Sequence, residues 1–434
     1  MRNVRLLLQV GLVVAIPIGT YFALPFVPSL RVLPESFAGG GSRFERSPIP
    51  FERHVIGDTR PQHPIITNVQ IVDFDHDGQN DVLACDARKQ SIVWCRHDGA
   101  GRWIEQTLAS DLPAPAHVTV VDLDRDGDLD LIASCLGDIL PNDGVIGQLI
   151  WLEQTPSGLV RHVLLDDVRR VADCQPGDLD GDGDLDLAVA VFGYARGDIL
   201  WLENRGNGRF RERPLHSAPG TIHVPIADYD GDGDLDIAAV VSQDEEELWG
   251  FENLGSGKFA SRRLWFTVNY DLGSAGLIKD DLDRDGDVDL ILPVGDNLEV
   301  MYSYPQPWHG CLWFENLGDW KFTPKRIADV GGAYAAATGD FDADGDRDVV
   351  LVATFNNWDE PDNASVVWLE NDGHQNFKTW QIASCPTHCI TVAVGDIDGN
   401  GRDDIVTGGL YVVGPFDRMA RITGWLNPPE PRQR

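Results

Sequence analysis

The residues best spaced for chemistry form a nine-residue stretch, Asp178-Leu-Asp180-Gly-Asp182-Gly-Asp184-Leu-Asp186. Carboxylates at positions 1, 3, 5 and 9 can wrap one hard cation, and position 7 can add its backbone carbonyl. Glycine at position 6 permits the sharp turn that brings both halves onto the ion. A set made only of oxygen favours Ca²⁺ over Zn²⁺ or a redox metal. The pattern occurs seven times, its starts 49 to 59 residues apart. Position 1 is Asp73, Asp122, Asp178, Asp228, Asp281, Asp340 and Asp396. Position 3 is Asp75, Asp124, Asp180, Asp230, Asp283, Asp342 and Asp398. Position 5 is Asp77, Asp126, Asp182, Asp232, Asp285, Asp344 and Asn400. Position 7 is Gln79, Asp128, Asp184, Asp234, Asp287, Asp346 and Arg402. Position 9 is Asp81, Asp130, Asp186, Asp236, Asp289, Asp348 and Asp404. Asn400 removes one charge from the seventh loop, which should bind its ion most weakly.

The loops are not EF-hands. Those need a bidentate Glu at position 12 followed by a helix. Position 12 here is Ala84, Ala133, Val189, Ala239, Leu292, Leu351 or Thr407, and a short apolar run such as Leu187-Ala-Val-Ala-Val191 follows each loop. Runs of that length and β-branched content read as buried strands, so each loop joins strand to strand. Seven copies at this interval identify a repeat protein.

The elements that position the loops repeat with them. A first strand enters the loop and a second leaves it. A third ends in a Trp-x-Glu-Asn phrase, as in Trp201-Leu-Glu-Asn204, Trp313-Phe-Glu-Asn316 and Trp368-Leu-Glu-Asn371. A Gly-containing hairpin turn such as Asn207-Gly-Arg-Phe210 returns the chain as a fourth strand. Four antiparallel strands per repeat make a β-propeller blade. The seventh repeat stops at Asn427-Pro-Pro without a fourth strand, and residues 51–57 resemble the missing one. The expected fold is therefore all-β, a seven-bladed propeller over 51–427 whose N-terminal strand completes the last blade and removes two exposed sheet edges. Residues 428–434 are left as a tail.

These loops, with the Trp-Leu-Glu-Asn phrases and Gly-x-Phe hairpins, resemble the FG-GAP/VCBS repeat family, whose best-known relatives are the seven-bladed propellers of integrin α-subunits. The resemblance covers residues 51–427. It implies Ca²⁺ in the loops and binding of proteins or glycans more often than catalysis. Some relatives, such as certain polysaccharide lyases, are enzymes on similar scaffolds. Integrin-like receptors carry further extracellular domains that this chain lacks.

Ahead of the repeats, residues 1–5 carry Arg2 and Arg5, and Leu6 to Val27 runs without a charge. That run is long enough to span a membrane, and arginines before it favour a cytoplasmic N-terminus. Residues 6–27 are expected to be an uncleaved signal anchor; a cleaved secretory signal is the alternative. Either way the propeller lies outside the cytoplasm, periplasmic or extracellular. Residues 28–50, rich in Pro, Gly and Ser, read as a linker. The net charge is −34, and seven bound Ca²⁺ would leave about −20. A surface that acidic excludes nucleic acid as a partner. Seven Cys, an odd number, leave at least one without a partner in the chain. Cys85 with Cys95, or Cys385 with Cys389, could pair in an oxidising compartment, or all could be small core residues.

Binding specificity is expected on the face opposite the loops, where the segments between second and third strands vary most. They carry Asp138, Asp143, Tyr194, Arg196, Tyr302, Tyr304, Trp308, Trp358, Tyr411 and Phe416. Five residues before each loop, a ring of equivalent positions should surround the mouth of the central channel. His117, Asp173 and His223 then fall side by side, with Arg169, Arg170 and His388 near. They could hold a transition metal, act as acid and base on a sugar, or line a water-filled channel. The leading expectation is a membrane-anchored, Ca²⁺-stabilised propeller that binds a protein or glycan. The alternatives are a lyase-like carbohydrate enzyme centred on His117, Asp173 and His223, and a structural subunit of a membrane complex.

Overall fold

The computed structural model describes residues 44–429 except 61–62, 99–101, 141, 244, 299–304, 412–413 and 415. Each repeat folds into one antiparallel sheet, with the apolar run after each loop as its second strand. In the third blade the strands are Arg170–Gly177, Asp186–Phe192, Asp198–Asn204 and Phe210–Ser217, paired in that order. All seven residues of Asp186–Phe192 are buried. A strand packed on both faces needs no alternation of polar and apolar residues, which is why these runs are continuously apolar.

Seven apolar cores lie between the blades, one at every interface of the ring. The core between blades one and two holds Leu83, Cys85 and Trp94 against Leu131, Ala133 and Ile150. The core between blades seven and one holds Ile397, Val406 and Ile422 against Ile66, Val82 and Cys95. Cys85 and Cys95 thus face opposite sides of one sheet and cannot pair. All seven cysteines are free thiols.

The Trp of the Trp-x-Glu-Asn phrase fills these interfaces. Trp201, Trp313 and Trp368 are fully buried. Trp201 meets Phe259 of the next blade edge-on at 5.6 Å, and Trp313 meets Phe377 at 6.3 Å. The fourth blade has Gly250 where the others have Trp. There Trp320, from the hairpin of the fifth blade, occupies the space, and a Cβ on Gly250 would lie 2.3 Å from its ring.

The ring closes with the N-terminal strand. Glu52–Val55 pairs antiparallel with Ile422–Leu426, Glu52 opposite Leu426 and Val55 opposite Thr423. The segment 44–50, read from composition as linker, is partly built into the ring. Glu45–Arg46 adds a fifth, parallel strand to blade six, and Phe44, Ile49 and Phe51 pack on adjoining cores. The expected anchor at 6–27 lies outside the described residues. Among the described residues, no helix is long and apolar enough to cross a membrane.

Candidate metal centres and the channel cluster

The seven acidic loops adopt one conformation, built by backbone N–H groups. The N–H at position 6 donates to the Asp at position 1, from Gly78 to Asp73 at 2.9 Å through to Gly401 to Asp396 at 2.8 Å. The N–H at position 7 donates to the side chain at position 5, including Arg402 to Asn400 Oδ1 at 2.9 Å. Gly at position 6 takes φ from +84° to +101°. A Cβ on Gly183 would meet nothing closer than 3.9 Å, so the requirement there is backbone conformation rather than space. Gly183→Ala should therefore cost about 1–2 kcal/mol, seen as a lower urea midpoint and weaker Ca²⁺ binding.

The position-9 carboxylate is the buried pivot of each loop. Asp289 Oδ2 accepts the N–H of Leu282 at 3.0 Å, and Oδ1 accepts the N–H of Asn316 at 2.7 Å. The first contact recurs in all seven loops. The second recurs wherever the third strand ends in Asn or Gln, from Gln154 to Asp130 through Asn427 to Asp404. The same Asn then reaches into the preceding blade. Asn316 Nδ2 donates to Tyr229 O at 2.9 Å and Val288 O at 3.1 Å, and Gly318 N–H returns to its Oδ1. Asn253, Asn371 and Asn427 repeat this reach. The phrase thus ties one blade's loop to its own third strand and to the loop before it. Asn316→Ala should cost about 1–3 kcal/mol through the unsatisfied carbonyls, measured as a loss of denaturant midpoint.

Three or more loop carboxylates converge in each group found, such as Asp122, Asp124 and Asp126, with their oxygens within 4.8 Å of one another. Oδ1 of Asp122, Asp281 and Asp340 is buried with no hydrogen-bond donor. Burial pushes the carboxyls of Asp236, Asp289, Asp348 and Asp404 up to about 7, against opposing backbone N–H donors. Buried acceptors without donors, crowded with like charge, fit a hard dication.

The channel residues meet: His117 and His223 both face Asp173. His117 is the third residue of Pro115–Val121. The first-strand positions lie inside the ring, where neighbouring first strands pack together. An apolar cluster of Ile65, Ile390, Leu410 and Ala87, with Ile139, Leu298 and Tyr334 against it, draws on five blades. Asp173 is fully buried; His117 Nδ1 lies 3.4 Å from its Oδ1 and His223 Nδ1 3.4 Å from its Oδ2. Asp173 also accepts the N–H groups of Cys174 at 2.8 Å and Val224 at 3.2 Å, and Gln175 Nε2 at 2.9 Å. Burial raises its pKa, but the two imidazoles and these donors outweigh it and hold the carboxyl well below its usual range. The Val224 contact is one of a series between blades. Asn68 Oδ1 accepts Val118 N–H at 3.3 Å, and Thr391 Oγ1 accepts Val69 N–H at 3.2 Å. Arg170 and His388 are engaged elsewhere. Arg170 holds the carbonyls of Asp138 and Ile139, and His388 packs against Trp358.

On the opposite face Trp358 is buried, Trp308 bonds Asp271 O through its indole, and Tyr302 and Tyr304 lie outside the described residues. Tyr194 and Tyr411 are half-buried; Asp138, Asp143, Arg196 and Phe416 are exposed. The sequence reading passed over the exposed apolar residues there. Leu140 is 60% and Val145 53% exposed on the blade-two loop, and Val268 70% and Tyr270 65% after the outer strand of blade four. The Val145-Ile146 pair inside a loop rich in Gly, Asp and Asn was the available signal.

No curated protein matches the sequence. Among solved structures, the chain is similar to one from the crystal structure of BBS1N in complex with ARL6DN, soaked with mercury. Identity is 9%, the TM-score is 0.52, and 88% of this chain and 98% of that one are covered. The lead-soaked crystal of the same complex gives 10% identity and a TM-score of 0.53, covering 90% and 100%. These likenesses establish the fold. The model of the FG-GAP-like repeat matches residues 73–133, 178–239, 228–292 and 340–407, four segments that each run from one acidic loop into the second strand beyond the next loop. Those segments span more than half of the chain, and with seven loops on seven blades this protein belongs to the FG-GAP-like repeat family.

Proposed function

We propose that this chain is an exported, membrane-anchored propeller, stapled by Ca²⁺ in its seven loops, that binds a protein partner through the face opposite those loops. The observation that carries the reading is the division of labour between faces. On one face the carboxylates are committed to the loops, where Asp73 to Asp404 would hold one Ca²⁺ each and give the blades rigidity. On the other, Leu140, Val145, Val268 and Tyr270 are exposed on a framework that cannot collapse to cover them. Exposed apolar side chains beside charged ones, as Leu140 and Val145 stand with Asp138 and Asp143 on one loop, suit a protein surface. The similar solved chain comes from a protein complex, which agrees with this reading. Residues 6–27 would hold the protein at the membrane with the ring outside.

Photo-crosslinkers at position 145 or 270 of the full chain, in its own membranes, test this. One defined adduct, lost on Leu140→Asp/Val268→Asp with Ca²⁺ content unchanged, supports it. Adducts that survive the double variant, or a chain released by washing rather than by detergent, reject the corresponding half.

A further inference from the structure

We propose that the seam where the ring closes carries a second binding site, a pocket on the face opposite the acidic loops that holds one neutral pyranose unit of a glycan against Phe416 and Asp417. The pocket encloses about 340 Å³, within the range of small-ligand sites. Thr59 and His63 line it from the segment after the closing strand, and Phe416, Asp417 and Met419 from the segment before the last strand; Arg421 completes it. The two segments are fixed to each other. Tyr411 N–H donates to Pro64 O at 2.7 Å, and Arg421 holds the carbonyl of Asp58 at 3.2 Å. Tyr411 stacks on His63, ring centres 3.9 Å apart and 29° from parallel, and on Phe416 at 4.3 Å and 30°. Rings from both sides of the seam thus form one stack, and its end ring, Phe416, is 48% exposed.

The charges around the pocket select the ligand. The Arg421 guanidinium is spent on Asp86, Glu105 and Asp58 O, so it is not free to clamp an anion, and the exposed Asp417 carboxylate repels one. A cation meets Arg421 and also Arg88, whose guanidinium lies 5.9 Å from the Tyr411 ring centre. A neutral ligand with an apolar face and hydroxyls beside it meets neither objection. The C–H groups on one face of a pyranose carry slight positive charge and suit the negative face of an aromatic ring such as Phe416. Its hydroxyls can donate to the Asp417 carboxylate, a charge-assisted bond, and can both give to and accept from the Thr59 hydroxyl. An apolar protein side chain would use the ring but leave Asp417 desolvated without a donor. This goes beyond the protein partner proposed above. The pocket joins blades seven and one, whereas the apolar residues assigned to that partner lie on blades two and four.

The test uses the full chain in saturating Ca²⁺ and a detergent without sugar headgroups. It is probed by saturation-transfer NMR with the methyl pyranosides of glucose, galactose, mannose and N-acetylglucosamine. At least one should bind with a Kd on the order of 1 mM, with saturation strongest on the C–H groups of one ring face. Phe416→Ala should weaken binding about 3–10-fold and Asp417→Ala about tenfold or more, with the urea midpoint unchanged because both side chains are exposed. Phe416→Trp should keep the binding. No transfer to any of the four probes would overturn the proposal. So would transfer unchanged in Phe416→Ala/Asp417→Ala, which places the sugar elsewhere, and tighter binding of glucuronate or glucosamine, which makes the site select for charge. The crosslinking at positions 145 and 270 is read separately, so either reading can fail without the other.

Discussion

Stripping Ca²⁺ with a chelator is expected to abolish the cooperative unfolding transition near neutral pH. Each loop gathers like charges whose burial is already costly, as the raised carboxyls of Asp236, Asp289, Asp348 and Asp404 show. An ion bound only by the folded state at 100 times its Kd contributes about 2.7 kcal/mol. Seven such sites sum to roughly 20 kcal/mol, against about 5–15 kcal/mol for a whole domain. Metal analysis should find one Ca²⁺ per loop, with the seventh lost first because Asn400 lowers its charge. The midpoint temperature should rise with free Ca²⁺, and an unchanged transition in chelator would refute the loops as staples. Acid separates the two forms. A carboxyl whose folded pKa is raised binds protons more readily folded than unfolded, so stability of the metal-free form falls as pH rises from about 4 to 7. The metal-free form should thus recover stability near pH 5, whereas the Ca²⁺-loaded form should weaken there because protons compete for the same oxygens. Parallel pH profiles for both would contradict this.

Arg421→Met should be among the most damaging single substitutions. The Arg421 side chain is 2% exposed and sits at the seam where the ring closes. Its Nε donates to Asp86 at 3.0 Å, and its other nitrogens hold both oxygens of Glu105 and the carbonyl of Asp58. Blade seven, blade one and the segment after the closing strand thus meet at one guanidinium. Removing it leaves the fully buried Asp86 carboxylate uncompensated, a loss of about 3–5 kcal/mol. Lys89 also pairs with Glu105, but Lys89 is a third exposed, and Lys89→Met should cost under about 1 kcal/mol. Urea midpoints in saturating Ca²⁺ check both, and equal effects would show that the seam is not special. Burial raises Glu105, but Arg421 and the Asp58 N–H outweigh it and hold its pKa low. Its share of the seam is therefore present above the unfolded value of about 4.3 and is lost as pH falls further.

The loops and blades were legible because their information is local. All candidate ligands of an ion lie within nine residues, and a blade's strands follow one another with short turns. Seven repetitions turned a weak motif into a fold, and the fourth strand missing from the seventh repeat but present at the N-terminus placed the closing strand within 51–57. The side-by-side arrangement of His117, Asp173 and His223 was also readable, since equivalent residues of consecutive blades must sit together around a closed ring.

What the chain alone determined is thus the repeat: which carboxylates share a loop, how many blades there are, and where the ring joins. Tertiary structure alone decided the rest. It put Trp320 of one blade in the place that Gly250 leaves in another. It joined Arg421 to Asp86 and Glu105, 335 and 316 residues away in sequence. It paired Glu45–Arg46 with blade six and gathered apolar side chains from five blades into one cluster. The physical reason is that periodicity constrains backbone path, whereas burial and ion pairing depend on which distant side chains the closed ring brings together. Such contacts leave no spacing in the sequence to read.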